Sequence, residues 1–81
     1  MPVAPAPRTM TPAHIREPDG ADHVEVMFLE SARIFRLRRK TRRFEDAMQL
    51  LRDAIARHRV VQVRCTTPEG DVIEEVAAHP T

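Results

Sequence analysis

The chain contains no tryptophan, no tyrosine and only three phenylalanines among 81 residues. That scarcity argues against an aromatic base-stacking platform and against a core built on large rings. Its two glycines, Gly20 and Gly70, lie far apart, so a glycine-rich phosphate loop is excluded. A single cysteine, Cys65, leaves no internal disulfide and fits a reducing compartment. No run of roughly 18 uncharged apolar residues occurs, and Met1 to Met10 holds no apolar stretch of signal-peptide length. The sequence therefore reads as cytoplasmic, with no membrane span. At 9.3 kDa it allows one small domain and no deep catalytic cleft between lobes.

Metal and acid-base chemistry are also poorly served. His14, His23, His58 and His79 stand far apart, and none pairs with another or with Cys65 at zinc-ligand spacing, so no metal and no cofactor is expected. Cys65 alternates with Val61 and Val63 and reads as a small buried hydrophobe rather than a nucleophile. Glu74 and Glu75 are adjacent on an expected strand, which points them to opposite faces and away from one shared proton-transfer site. The reading is a non-enzyme.

What the chain does have is segregated charge. The net charge of +1 hides it. Between Arg33 and Arg43 lie Arg33, Arg36, Arg38, Arg39, Lys40, Arg42 and Arg43, with no acid among them; the rest of the chain carries six cations and twelve acids. Arginine forks bind phosphate bidentately, and closely spaced cations release condensed counterions from nucleic acid. These seven residues are the expected nucleic-acid contacts, with RNA slightly favoured over DNA. An acidic protein partner is the alternative, as is self-assembly in which the arginines pair with Glu69, Asp71, Glu74 and Glu75 of the same chain or a neighbour.

Residues 1–21 hold five of the seven prolines and end in Asp19-Gly20, which predicts a Pro-rich disordered tail, leaving 22–81 as the folded domain. Val24, Val26 and Phe28 alternate with polar neighbours and predict a strand, followed by a weak turn at Glu30-Ser31. A second strand is expected over Ala32 to Arg39, with Arg33, Phe35, Leu37 and Arg39 on one face. Asp22 and Glu25 also suit a capping box opening a helix, but the apolar positions of 24–39 spread all round a helical projection, which favours the hairpin. Phe44, Ala47, Met48, Leu50, Leu51, Ala54 and Ile55 form one stripe and predict an amphipathic helix over 43–59, with Thr41 as N-cap and Arg57, His58 and Arg59 at its C-terminal end. Val60 to Cys65, a turn over 67–71 and Val72 to Ala78 predict a closing hairpin.

The run Leu51, Ala54-Ile55, Arg59-Val60-Val61, Val63-Arg64, Gly70, Val76 and Pro80 resembles the opening of a WYL domain, an Sm-like β-barrel module of bacterial transcriptional regulators. Arg33-Ile34-Phe35-Arg36-Leu37-Arg38-Arg39 is similar to that family's closing strand, in permuted order, with Arg38 in place of its aspartate. The resemblance implies an Sm-like or SH3-like topology and places Arg33 and Arg36 at basic positions that contact nucleic acid or a nucleotide-like ligand. The combined expectation is an α+β domain of order ββαββ, an antiparallel sheet or incomplete Sm-like barrel with one helix across it. Some sixty ordered residues without disulfide or metal also suggest a homo-oligomer joined through its edge strands. The expected function is a small nucleic-acid-binding regulator.

Overall fold

A computed structural model describes residues 6–67 and 69–79. Six strands and one helix follow in the order β1 (Arg8–Met10), β2 (Pro12–Arg16), β3 (His23–Phe28), β4 (Ile34–Arg38), α1 (Phe44–Arg57), β5 (Val61–Cys65) and β6 (Val72–Ala78). The fold is α+β, and its last five elements are the expected ββαββ. Val24, Val26 and Phe28 point inward from β3, and Phe35 and Leu37 from β4, as the two-residue period requires.

Residues 1–21 require a correction. Only 1–5 lie outside the described residues, and Arg8 to Arg16 is not a disordered tail but forms β1 and β2. Proline is tolerated there because Pro12 opens its strand at an irregular register step before His14, where no ladder donor is needed. Met10 and Pro12 turn inward and Ile15 packs on the core. Gly20 adopts φ +74°, a left-handed conformation, in the Asp19-Gly20 turn that joins β2 to its partner β3.

The strand order is β1-β5-β6-β4-β3-β2, so the sheet is mixed rather than wholly antiparallel. Its one parallel pairing sets Arg36 and Leu37 of β4 beside Val72 and Ile73 of β6. β1 and β2 occupy opposite ends of this order, yet only Thr11 separates them. Met10 pairs with Val61 while Pro12 pairs with Phe28, so the sheet curls until its two edges meet at one residue. The result is a partly open barrel in which β1 and β2 act as one bent strand.

The barrel encloses Val24, Val26, Phe28, Phe35, Leu37, Val61, Val63, Cys65 and Ile73, and Ala47, Met48, Leu51 and Ala54 of α1 close one end. Phe28 and Phe35 meet edge to face at 5.2 Å between ring centres, an arrangement worth about 0.5–1.5 kcal/mol beyond burial. Arg8, paired with inward-facing Val63, lays its guanidinium 5.4 Å from the Phe35 ring centre and 3.5 Å from Cys65 Sγ. Phe44, Leu50 and Ile55 of the expected stripe are only partly buried.

Two local expectations change. Thr41 does not cap α1: the cap is Arg43, in the left-handed conformation with φ 60° and no side-chain cap bond, while the Thr41 carbonyl accepts from the Phe44 N–H. The helix stops at Arg57 because His58 takes φ 53°, and the His58 and Arg59 N–H groups donate to the Ile55 and Ala54 carbonyls.

The curled sheet makes a contrast between neighbours on β4. Phe35→Ala, which empties the centre of the barrel, should cost about 3–5 kcal/mol, whereas Ile34→Ala on the outer face should cost under about 0.5 kcal/mol. Urea unfolding of the two variants measures this, and equal losses would contradict the placement of Phe35.

Candidate interaction surface

The seven cations of the sequence fall into two groups. β4 spans only Ile34–Arg38, so Arg33 and Arg39 are not on the Phe35 and Leu37 face but flank the strand in exposed positions. Arg33 donates to the Glu69 carbonyl at 2.8 Å. Arg39 lies 3.6 Å from the Glu17 carboxylate, donates to the Ala21 carbonyl at 3.4 Å and stands 5.7 Å over the Phe44 ring. Arg36 and Arg38 project outward from β4, and Lys40, Arg42 and Arg43 lie exposed on the loop into α1. None of these five has an ion pair or a side-chain hydrogen bond among the described residues.

Several acids near them are engaged elsewhere, while Glu45, Asp46, Glu69 and Asp71 have no side-chain ion pair among the described residues. Glu25 is the register partner of Arg36, but its carboxylate pairs with Arg16 on the other neighbouring strand. Glu17 faces Arg52 at 3.2 Å as well as Arg39, and Asp53 holds Arg57 at 3.0 Å along one helix turn. Within the chain, the expected pairing of the segment with Glu69, Asp71, Glu74 and Glu75 does not form through their carboxylates. Arg64 takes Glu74 and Glu75 instead, at 3.7 and 3.8 Å. This also corrects the separation of those two acids: a register shift between Arg64 and Cys65 inserts one extra residue into β6, and both carboxylates flank one guanidinium.

Sequence reasoning missed a second feature of this surface. Leu29, 73% exposed, and Ile34, 42% exposed, are the large apolar side chains left uncovered among the described residues, and they bracket the loop between β3 and β4. The signal was present, since Leu29 breaks the alternation that ends at Phe28 and Ile34 shares the polar face with Arg36 and Arg38. The loop is held in place from the barrel seam. The Thr11 backbone N–H and hydroxyl donate to the two Glu30 carboxylate oxygens at 2.7 and 2.6 Å, and the Leu29 N–H donates to the Thr11 carbonyl at 2.9 Å. The Thr11 hydroxyl, then its N–H, holds the Glu30 carboxyl below its ordinary range.

A shallow cavity of about 690 Å³ opens where β6 diverges from β4 beside the start of α1, walled by Arg42, Arg43 and Asp46 on one side and Arg64, Glu74 and Glu75 on the other. Its lining includes one hydroxyl, that of Thr41, and neither cysteine nor histidine. Among the described residues no group of three or more His, Cys, Asp or Glu side chains converges as a metal site. No described helix is long and apolar enough to cross a membrane.

Comparison with known proteins places the fold. No family model matches the chain, and no curated protein does. In structure it is similar to pro-protein-glutaminase, with a TM-score of 0.75 and 21% identity over 89% of this chain and 24% of that one. A mutant form of pro-protein-glutaminase gives a TM-score of 0.78 and 18% identity over 96% of this chain and 26% of that one. The chain thus spans about a quarter of the length of the solved chains it matches. Neither neighbour bears on the WYL resemblance.

The Glu30 clamp has a testable pH signature. Its carboxylate form is favoured by folding, so its contribution is complete at neutral pH and is lost as acid protonates the folded group. Wild type should lose more stability than Glu30→Gln between neutral pH and about pH 3. Equal losses in urea midpoint would mean that the clamp contributes nothing.

Proposed function

We propose that this chain is a protein-binding module, not itself an enzyme, that inhibits a partner enzyme in the manner of a pro-domain. One observation carries the reading: nearly the whole chain superposes on a stretch amounting to a quarter of a proenzyme. A domain with its own closed core can serve as a separable part of such a protein or act on the enzyme as a separate chain. Leu29 on the exposed loop and Ile34 at the start of β4 support it, because exposed apolar side chains on a hydrogen-bonded loop and an anchored strand are suited to seating in a partner's recess. By analogy with the neighbours, the partner class is an amide-hydrolysing enzyme.

Phosphate contact by Arg33, Arg36, Arg38, Arg39, Lys40, Arg42 and Arg43 is the competing reading of the same molecule. It draws on the five unengaged cations. It is weaker because Phe28 and Phe35 are buried, and Ile34 stands in line with Arg36 and Arg38 where a backbone-tracking groove would carry polar groups.

A photo-crosslinker at position 34, used in extracts of the source cells, tests the proposal. The captured protein should be an amide-hydrolysing enzyme whose activity falls stoichiometrically when the purified chain is added, and Leu29→Asp should weaken inhibition at least about tenfold. Capture of nucleic acid alone, of a second copy alone, or of an enzyme whose activity does not change would refute it.

A further inference from the structure

The outer face of β2, β3 and β4 is ordered in rows by the strand registers. His14, Met27 and Ile34 lie side by side in the first row, Arg16, Glu25 and Arg36 in the second, and His23 and Arg38 in the third. Leu29, two residues past Met27, lies beyond the end of β3 at the same apolar end of the face. The face therefore runs from apolar to cationic along the direction of β4. The three rows hold one carboxylate, Glu25, which Arg16 neutralises; Asp22, just before β3, approaches His23 Nδ1 at 3.5 Å, and Arg38 has no ion pair among the described residues. Arg36 and Arg38 are two residues apart on one strand, so their attachment points are about 6.6 Å apart.

Resting on the protein-docking reading above, we propose that the partner surface is acidic on one side only: an apolar recess receives Leu29 and Ile34, and carboxylates beside it meet Arg36 and Arg38. Charge complementarity assigns that occupant. Two guanidiniums without an ion pair among the described residues, beside exposed apolar side chains, gain most from a surface that offers both a dry recess and fixed anions. A uniform polyanion offers no recess. Arg42 and Arg43 lie beyond β4 on the loop into α1, outside the three rows, and take little part.

The test uses the source-cell extract and the full chain. Arg36→Lys and Arg38→Lys place amines that a carbodiimide joins to carboxylates in direct contact, while the photo-crosslinker at position 34 reports docking itself. Cross-links from positions 36 and 38 should map to Asp or Glu of the same enzyme captured through position 34. Reversing charge with Arg36→Glu and Arg38→Glu should cut that capture at least about tenfold at low salt, with the difference narrowing near 0.5 M salt, whereas Arg42→Glu with Arg43→Glu should change it less than about threefold. The milder Arg36→Ala with Arg38→Ala pair, checked for a wild-type unfolding midpoint, guards against misfolding.

Undiminished capture of the enzyme by both the charge-reversed and the alanine pairs would overturn the acidic surface and leave the docking reading standing. Capture lost equally with Arg42 and Arg43 reversed, together with salt-sensitive binding of a mixed-sequence oligonucleotide, would overturn it in favour of a polyanion. Capture of a second copy only, with Leu29→Asp converting a sedimenting dimer to monomer, would overturn both.

Discussion

The passage of the chain through Thr11 is the constraint on which the structure turns. A single residue joins a strand on one edge of the sheet to a strand on the other, which is possible only if the sheet closes on itself. Closure is what lets a chain with three phenylalanines exclude water from its interior. A flat sheet of this size would expose one face. The barrel instead turns each strand's apolar alternation toward a common centre and leaves α1 to cover one end. Thr11 also contributes the N–H and hydroxyl that fix Glu30, so the residue that closes the barrel sets the position of its most exposed apolar loop.

Closure also decides which charges stay free. Bringing β2 beside β3 delivers Arg16 to Glu25, and without β2 that carboxylate would face Arg36 alone. The extra residue in β6 turns Glu74 and Glu75 onto Arg64 rather than toward the arginine segment. Each of these exposed pairs contributes well under about 1 kcal/mol to stability. They engage Glu25, Glu74 and Glu75, and Arg36 and Arg38 keep no ion pair among the described residues.

The sequence shows some of this and hides the rest for physical reasons. The alternation of Val24, Val26 and Phe28 and the stripe through Ala47, Met48, Leu51 and Ala54 are local signals, and the strands and helix they predict are present. Arg8 to Arg16 was hidden because proline is read as a ladder breaker, while Pro12 sits where the ladder asks nothing of it. The parallel contact of β4 with β6 joins segments some 36 residues apart and leaves no trace in local periodicity. The cations are plain in the sequence, but which of them are paired is not, since that depends on Arg16, Glu17 and Arg64 arriving from other elements. Leu29 and Ile34 show in the sequence only as breaks in pattern, and a lone exposed apolar residue is ordinary; the pairing of Met27 with Ile34 brings them to the same end of the sheet.

The division of labour within β4 explains how one short strand serves both fold and surface. Phe35 and Leu37 are wholly enclosed and anchor the strand in the barrel, so Ile34, Arg36 and Arg38 are presented on rigid backbone rather than on a mobile loop. Rigid presentation lowers the ordering cost of docking, which for long side chains such as arginine is then confined to the side chain itself. The proposed inhibitory role rests on that saving, because the area a domain of this size can bury against a partner is limited by its own small surface. The same core residues that keep the chain folded therefore set how tightly its outer face can bind.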